Sequence, residues 1–69
     1  MQGGTFGESI IMWTIVYMAK NHGEVALLKK GLKDNNIISI VRKNDDFYEV
    51  LVPSLEVGSA HSVIIDTEI

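Results

Sequence analysis

Residues 10–19, IIMWTIVYMA, form the most apolar stretch of the chain and decide its fold. A membrane-spanning helix needs about 20 apolar residues, which is twice the length of this stretch. A secretion signal carries positive charge ahead of its apolar core, whereas the first positive side chain here, Lys20, follows the stretch. Residues 13–17 are aromatic or β-branched, and such residues favour strands. The stretch therefore predicts the first β-strand of a cytoplasmic domain with no membrane segment.

The residues before this strand, MQGGTFGES, contain three glycines and show neither helical nor strand periodicity. We therefore predict a single domain over residues 13–69, preceded by a disordered lead-in over residues 1–12. An alternative hypothesis makes Met12 the natural start and the residues before it an upstream extension of the reading frame.

The segment after Ala19 has the pattern of an amphipathic helix. Asn21 is a good N-cap residue, and Glu24 stands three positions later, as in a capping box. The apolar residues recur at helical spacing, which predicts a stripe facing the core. This stripe consists of Val25, Leu28 and Leu32. The helix should end at residues 35–36, because asparagine tolerates the left-handed conformation that ends many helices.

The remaining sequence predicts a β-hairpin followed by a second helix. Residues 37–43 and 47–52 are rich in β-branched and aromatic types, and the polar residues 44–46 between them suit a turn. Pro53 should end the third strand, because proline has no N–H to donate. Ser54 is then expected to cap a helix that runs to about Asp66. Its predicted buried residues are Val57, Ala60 and Ile64.

This element order, β-α-β-β-α, indicates an α+β sandwich with an antiparallel three-stranded sheet and both helices on one face. It is the ferredoxin-like plan without its final strand. In that plan the first strand pairs with the third, so the first strand is expected to have an open edge. An open edge needs protection, which a second subunit can supply.

The strands are apolar on both faces, which points to self-association. A sheet covered on one face only should alternate apolar and polar residues, but Val16 and Met18 oppose other apolar side chains, as do Ile38 and Ile40. A chain of 69 residues without cysteine has few other means of stabilisation. We therefore predict a homo-oligomer with these four residues as interface candidates.

Several segments resemble a family of small bacterial domains described as prokaryotic signal-transducing proteins. The matching segments span residues 12–65, and the most specific are VY at 16–17, AKN at 19–21, Leu28, Arg42, and EVLVP at 49–53. The resemblance implies a ferredoxin-like, GlnB-like fold and a regulatory role. The chain differs from the family at Lys20, where proline is frequent, and in its second helix, which carries glycine and serines. The long nucleotide-binding loop of the nitrogen-regulatory proteins has no counterpart at residues 44–46.

The remaining motifs favour binding over catalysis. The chain has no nucleophile elbow, phosphate-binding glycine loop or metal-ligand spacing, so we expect neither an enzyme nor a metal or other cofactor. A net charge of −3 disfavours nucleic acid. The first strand–helix turn can bind anions, because helix N-termini present free N–H groups. Its candidate ligand-binding residues are Lys20, Asn21, His22 and Arg42.

Two functions remain open at this point. The first is a small non-enzymatic regulatory or protein-interaction module that forms a homo-oligomer, with a further protein as its alternative partner. The alternative is a sensor that binds a small anionic metabolite at the turn.

Overall fold

The computed structural model describes residues 11–67 and contains three strands and two α-helices in the predicted order. The elements are β1 (Trp13–Ala19), α1 (His22–Asp34), β2 (Ile40–Asn44), β3 (Phe47–Pro53), a 3-10 helix (Ser54–Glu56) and α2 (Val57–Thr67). The predictions for the lead-in fall almost wholly on residues 1–10, which lie outside the described residues.

The three strands form one antiparallel sheet in the order β1-β3-β2, with β3 in the centre. The predicted pairing of the first strand with the third is confirmed, and no further strand pairs with β1 in residues 11–67. The pairing of β1 with β3 is interrupted by a bulge: Ile15 pairs with Leu51 and Tyr17 with Val50, so Val16 is an extra residue. The bulge decides which side chains of β1 reach each face of the sheet.

Both helices pack on one face of this sheet, as predicted. Leu28 and Leu32 of α1 are fully buried, and so are Val50 and Val52 of β3. Each such side chain contributes about 1.5–3 kcal/mol when it leaves water. α2 completes the core with Ala60, which the sequence predicted, and with Val63, which it did not; Val57 and Ile64 pack at the border of the core.

The second strand is shorter than predicted, because it begins at Ile40 instead of residue 37. Ile40 pairs with Leu51, so an extension of the ladder would place Ile38 opposite Pro53. Proline has no N–H to donate, and the ladder therefore stops. Ile37 is instead buried in the core, and its N–H donates to the Leu32 carbonyl at 2.9 Å.

The predicted N-cap role of Ser54 is wrong. Ser54 opens the 3-10 helix and makes no cap hydrogen bond to it. Its N–H donates to the Met12 carbonyl at 2.8 Å, and its hydroxyl lies 2.6 Å from that of Thr14. Ser54 therefore joins the end of β3 to the start of β1, which lie side by side in the sheet.

Candidate functional site

The sheet face opposite the helices carries a row of three aliphatic side chains that crosses all three strands. Leu51 stands at its centre, with Ile15 of β1 and Ile40 of β2 as its cross-strand neighbours. Leu51 is only 3% exposed although it lies outside the helix-packed core, whereas Ile15 and Ile40 are 42% and 40% exposed. The two isoleucines thus shield the leucine and leave their own outer surfaces in water.

Further apolar side chains extend this row along the sheet. In the pairing of β1 with β3, Trp13 lies opposite Pro53 and Met18 lies opposite Glu49. Phe47 lies at the hairpin end opposite Asn44. Met18 and Phe47 are 42% and 41% exposed, and Trp13 is half-buried. We call this surface the outer sheet face; its apolar members are Trp13, Ile15, Met18, Ile40, Phe47 and Leu51.

One polar cluster interrupts the outer sheet face. The Glu49 carboxylate is 5% exposed and accepts hydrogen bonds from the Arg42 guanidinium at 2.8 Å and the Asn44 amide at 2.7 Å. The Asn44 amide and the Arg42 guanidinium lower the pKa of Glu49 below its ordinary value of 4.5, because both stabilise the charged form. Burial opposes this effect but is the weaker influence.

The four predicted interface residues divide between different parts of the fold. Met18 and Ile40 lie on the outer sheet face. The bulge turns Val16 towards the helices, where it packs against the core beside Tyr17. Ile38 precedes β2 and is 69% exposed. Sequence reasoning missed four members of this face: Trp13, Ile15, Phe47 and Leu51. The alternation of side chains along β3 would have found Phe47 and Leu51, whereas Trp13 and Ile15 share the face of Met18 only because of the bulge.

The first strand–helix turn is closed by two hydrogen bonds that resemble a capping box, although the second comes from Lys20, the residue before the N-cap. The Asn21 side chain accepts from the Glu24 N–H at 2.9 Å, and the Glu24 carboxylate accepts from the Lys20 N–H at 2.9 Å. The Glu24 carboxylate therefore supplies negative charge at the helix N-terminus, where an external anion would otherwise bind.

The other two predicted ligand-binding residues lie apart from each other. The His22 ring packs edge-on against Tyr48 with ring centres 4.7 Å apart, and its Nε2 lies 2.8 Å from the Tyr48 hydroxyl. The Lys43 ammonium group lies over the same ring, 5.4 Å from the centre of the Tyr48 ring. Arg42, the neighbour of Lys43 on β2, is held by Glu49 on the outer sheet face. Strand alternation thus separates Arg42 from the turn.

Residues 11–67 contain neither a cluster of metal-ligating side chains nor a helix that could span a membrane. No three histidine, cysteine, aspartate or glutamate side chains are grouped so that they could hold a metal ion. The two helices are too short and too polar for either one to cross a membrane.

Comparison with known proteins identified no relative of this chain. No family model matches the chain, and no curated protein or solved structure matches it either. The outer sheet face is therefore the candidate site on the strength of its own geometry.

Proposed function

We propose that this protein is a small, non-enzymatic regulatory module that self-associates through its outer sheet face. The observation that carries the proposal is the aliphatic row, in which Leu51 is shielded by two isoleucines that remain about 40% exposed. An exposed apolar patch on a small protein marks an interaction surface. In this proposal the fold is a ferredoxin-like, GlnB-like sandwich without its last strand, in keeping with the resemblance to prokaryotic signal-transducing proteins.

A second copy of the chain is the occupant that suits this row best. Under a two-fold axis through Leu51, the isoleucine of β1 in one subunit meets the isoleucine of β2 in the other, or each meets its own equivalent. Both arrangements pair aliphatic groups with aliphatic groups, so the row is self-complementary, as an isologous interface requires. A chain of 69 residues also gains more from such burial than a larger domain would.

The dimensions of the sheet set the expected strength of the dimer. Three strands with seven residues in the longest form a face of roughly 14 by 23 Å, from the usual spacing and rise of strands. Protruding side chains add to the area of this face, but the area that it can bury remains below the roughly 800 Å² per partner of a standard interface. We therefore expect a dimer with a dissociation constant in the micromolar range.

The replacement Ile40→Asp should abolish self-association. Ile40 is 40% exposed in the monomer, so a carboxylate there stays solvated in the single subunit, whereas it would be buried in the dimer at a cost of several kcal/mol. Sedimentation equilibrium from about 1 to about 500 µM, a range that brackets micromolar affinity, should give a dimer for the wild type and a monomer for the variant.

The matched control is Leu55→Asp. Leu55 is 97% exposed in the 3-10 helix and lies off the outer sheet face, so this variant should dimerise like the wild type. Circular dichroism checks that both variants are folded, and Ile15→Asp provides a second test from β1. A wild type that stays monomeric across the range would overturn the proposal, as would equal loss of the dimer in the Leu55 variant.

A further inference from the structure

A groove lies between the C-terminal half of α1 and the segment that leads into β2. Its volume is about 670 Å³, which falls within the usual range for small-molecule sites. We call it the lysine groove; its lining residues are Lys29, Lys30, Lys33, Asn36, Ile37 and Ile38, with Ser39 at one end. It lies off the outer sheet face, so its function does not depend on self-association.

The charge of the lysine groove is opposite to that of the whole chain. The protein has a net charge of −3, yet three of its six lysines and arginines line this one groove. Lys30 forms an ion pair with Asp34 at 3.2 Å. Lys29 and Lys33 have no carboxylate partner within residues 11–67. These two residues lie one helical turn apart, so their side chains leave the same side of α1.

One of these ammonium groups is held in place. The Lys29 ammonium donates to the Ser39 carbonyl at 3.2 Å, across the groove from its own helix. This bond uses one of its three donors and leaves the others for a ligand. The negative end of the α1 dipole favours a lysine in the last turn, but it accounts for Lys33 better than for Lys29, which lies farther from the helix end.

The groove also offers an apolar surface beside its charges. Ile38 is 69% exposed, which makes it the most exposed isoleucine in the loops and strands of residues 11–67, and Ile37 beside it is buried. Asn36 holds a left-handed backbone conformation with φ of 61°, and this turn brings the two isoleucines back alongside the lysines.

We propose that the lysine groove binds a small amphipathic anion. The anionic group, a phosphate or a carboxylate, lies between the ammonium groups of Lys29 and Lys33, and the short apolar portion of the ligand packs on Ile38. Neither part of this site is sufficient alone. Two solvated lysines attract any anion weakly, and one exposed isoleucine has no selectivity.

Hexyl phosphate is a suitable probe, with inorganic phosphate and hexanol as its separate halves. In ¹⁵N–¹H correlation spectra of the full chain, hexyl phosphate should shift the amide signals of residues 29–40 in a saturable manner. It should bind at least about tenfold more tightly than inorganic phosphate, which is the effect of burying roughly two methylene groups.

Three variants assign the binding to the groove. Lys33→Gln should weaken the binding of hexyl phosphate about fivefold, since one ammonium group near an anion contributes that much in water. The Lys33 side chain makes no hydrogen bond or ion pair within residues 11–67, so the replacement should leave the fold unchanged. Ile38→Ser should bind hexyl phosphate and inorganic phosphate with equal affinity, because the apolar contact is lost. Lys43→Gln removes the same charge from an exposed residue that does not line the groove, and it should bind like the wild type.

Other results would overturn this proposal. Shifts that grow linearly with concentration would show that no site is filled, and equal weakening by Lys33→Gln and Lys43→Gln would show attraction to charge in general. Hexanol that binds as tightly as hexyl phosphate would show that the anion has no role.

Discussion

Glu49 is the buried charged residue of the described chain, and its partners make it sensitive to acid. Because the Asn44 amide and the Arg42 guanidinium donate to its carboxylate, its folded-state pKa lies below the ordinary 4.5. The stabilisation by this carboxylate is therefore fully present above the unfolded pKa. It is lost as the pH falls through the lower, folded-state pKa.

The replacement Glu49→Gln should accordingly lower the melting temperature at pH 7, and the difference from the wild type should shrink as the pH falls below about 4.5. Thermal unfolding followed by circular dichroism between pH 7 and about pH 3 measures this difference. Glu56→Gln is the control, because Glu56 makes no side-chain hydrogen bond or ion pair within residues 11–67. If the difference for Glu49→Gln did not change with pH, its carboxylate would not be stabilised as described.

At the scale of the elements, α1 and α2 approach each other at Gly31. A Cβ added there would lie 3.1 Å from Val63 Cγ1 and 3.3 Å from Thr67 Oγ1, whereas one added at Gly58 would meet nothing within 4 Å. Alanine favours helix over glycine by up to about 1 kcal/mol. Crowding a packed contact costs about 1–3 kcal/mol, so the two glycines should respond in opposite directions.

We expect Gly58→Ala to raise the melting temperature by a few degrees, as about 0.5–1 kcal/mol does in a domain of this size. Gly31→Ala should lower it, because the packed side chains of Val63 and Thr67 must give way to the added methyl group. Thermal unfolding of both variants at one protein concentration tests this pair. A higher melting temperature for Gly31→Ala would mean that α2 yields without cost.

Most of the elements follow from local sequence pattern, and the errors arise where distant residues decide. The N-cap at Asn21 is a local signal, and the structure confirms it, although the Glu24 carboxylate accepts from the Lys20 N–H and not from that of Asn21. The start of β2 depends on Pro53, which lies on another strand. The position of Val16 depends on a bulge that pairing with β3 creates. Two residues of the outer sheet face, Met18 and Ile40, could be predicted from the apolar pattern of their own strands. That Leu51 lies between Ile15 and Ile40 depends on how the three strands pair.

At the scale of the whole molecule, the chain combines a small core with a second apolar surface. Nine hydrophobic residues of the described chain are buried, and such a core is marginal for a domain of this length. Association that involves only the folded state adds to stability by mass action. The proposed self-association would therefore link the stability of the fold to the concentration of the protein.

The melting temperature of the wild type should rise with protein concentration, while that of Ile40→Asp should not. Because each subunit is the ligand of the other, a total concentration 100 times the dissociation constant adds about 1.6 kcal/mol of stability by mass action, or roughly 6–13 °C at this size. Scanning calorimetry at two concentrations makes the comparison. A wild-type melting temperature that does not depend on concentration would indicate that the monomer is stable alone.

The extra residue at Val16 also bears on how the chain can change its length in evolution. Because Ile15 and Tyr17 pair with consecutive residues of β3, loss of Val16 would leave a regular strand. All the remaining side chains of β1 would then stay on the same face of the sheet as before. A homologue shorter by one residue here would preserve the aliphatic row, at the cost of one side chain in the core. An alignment of such homologues should therefore place its gap within the strand, at position 16, and not in the turn that follows.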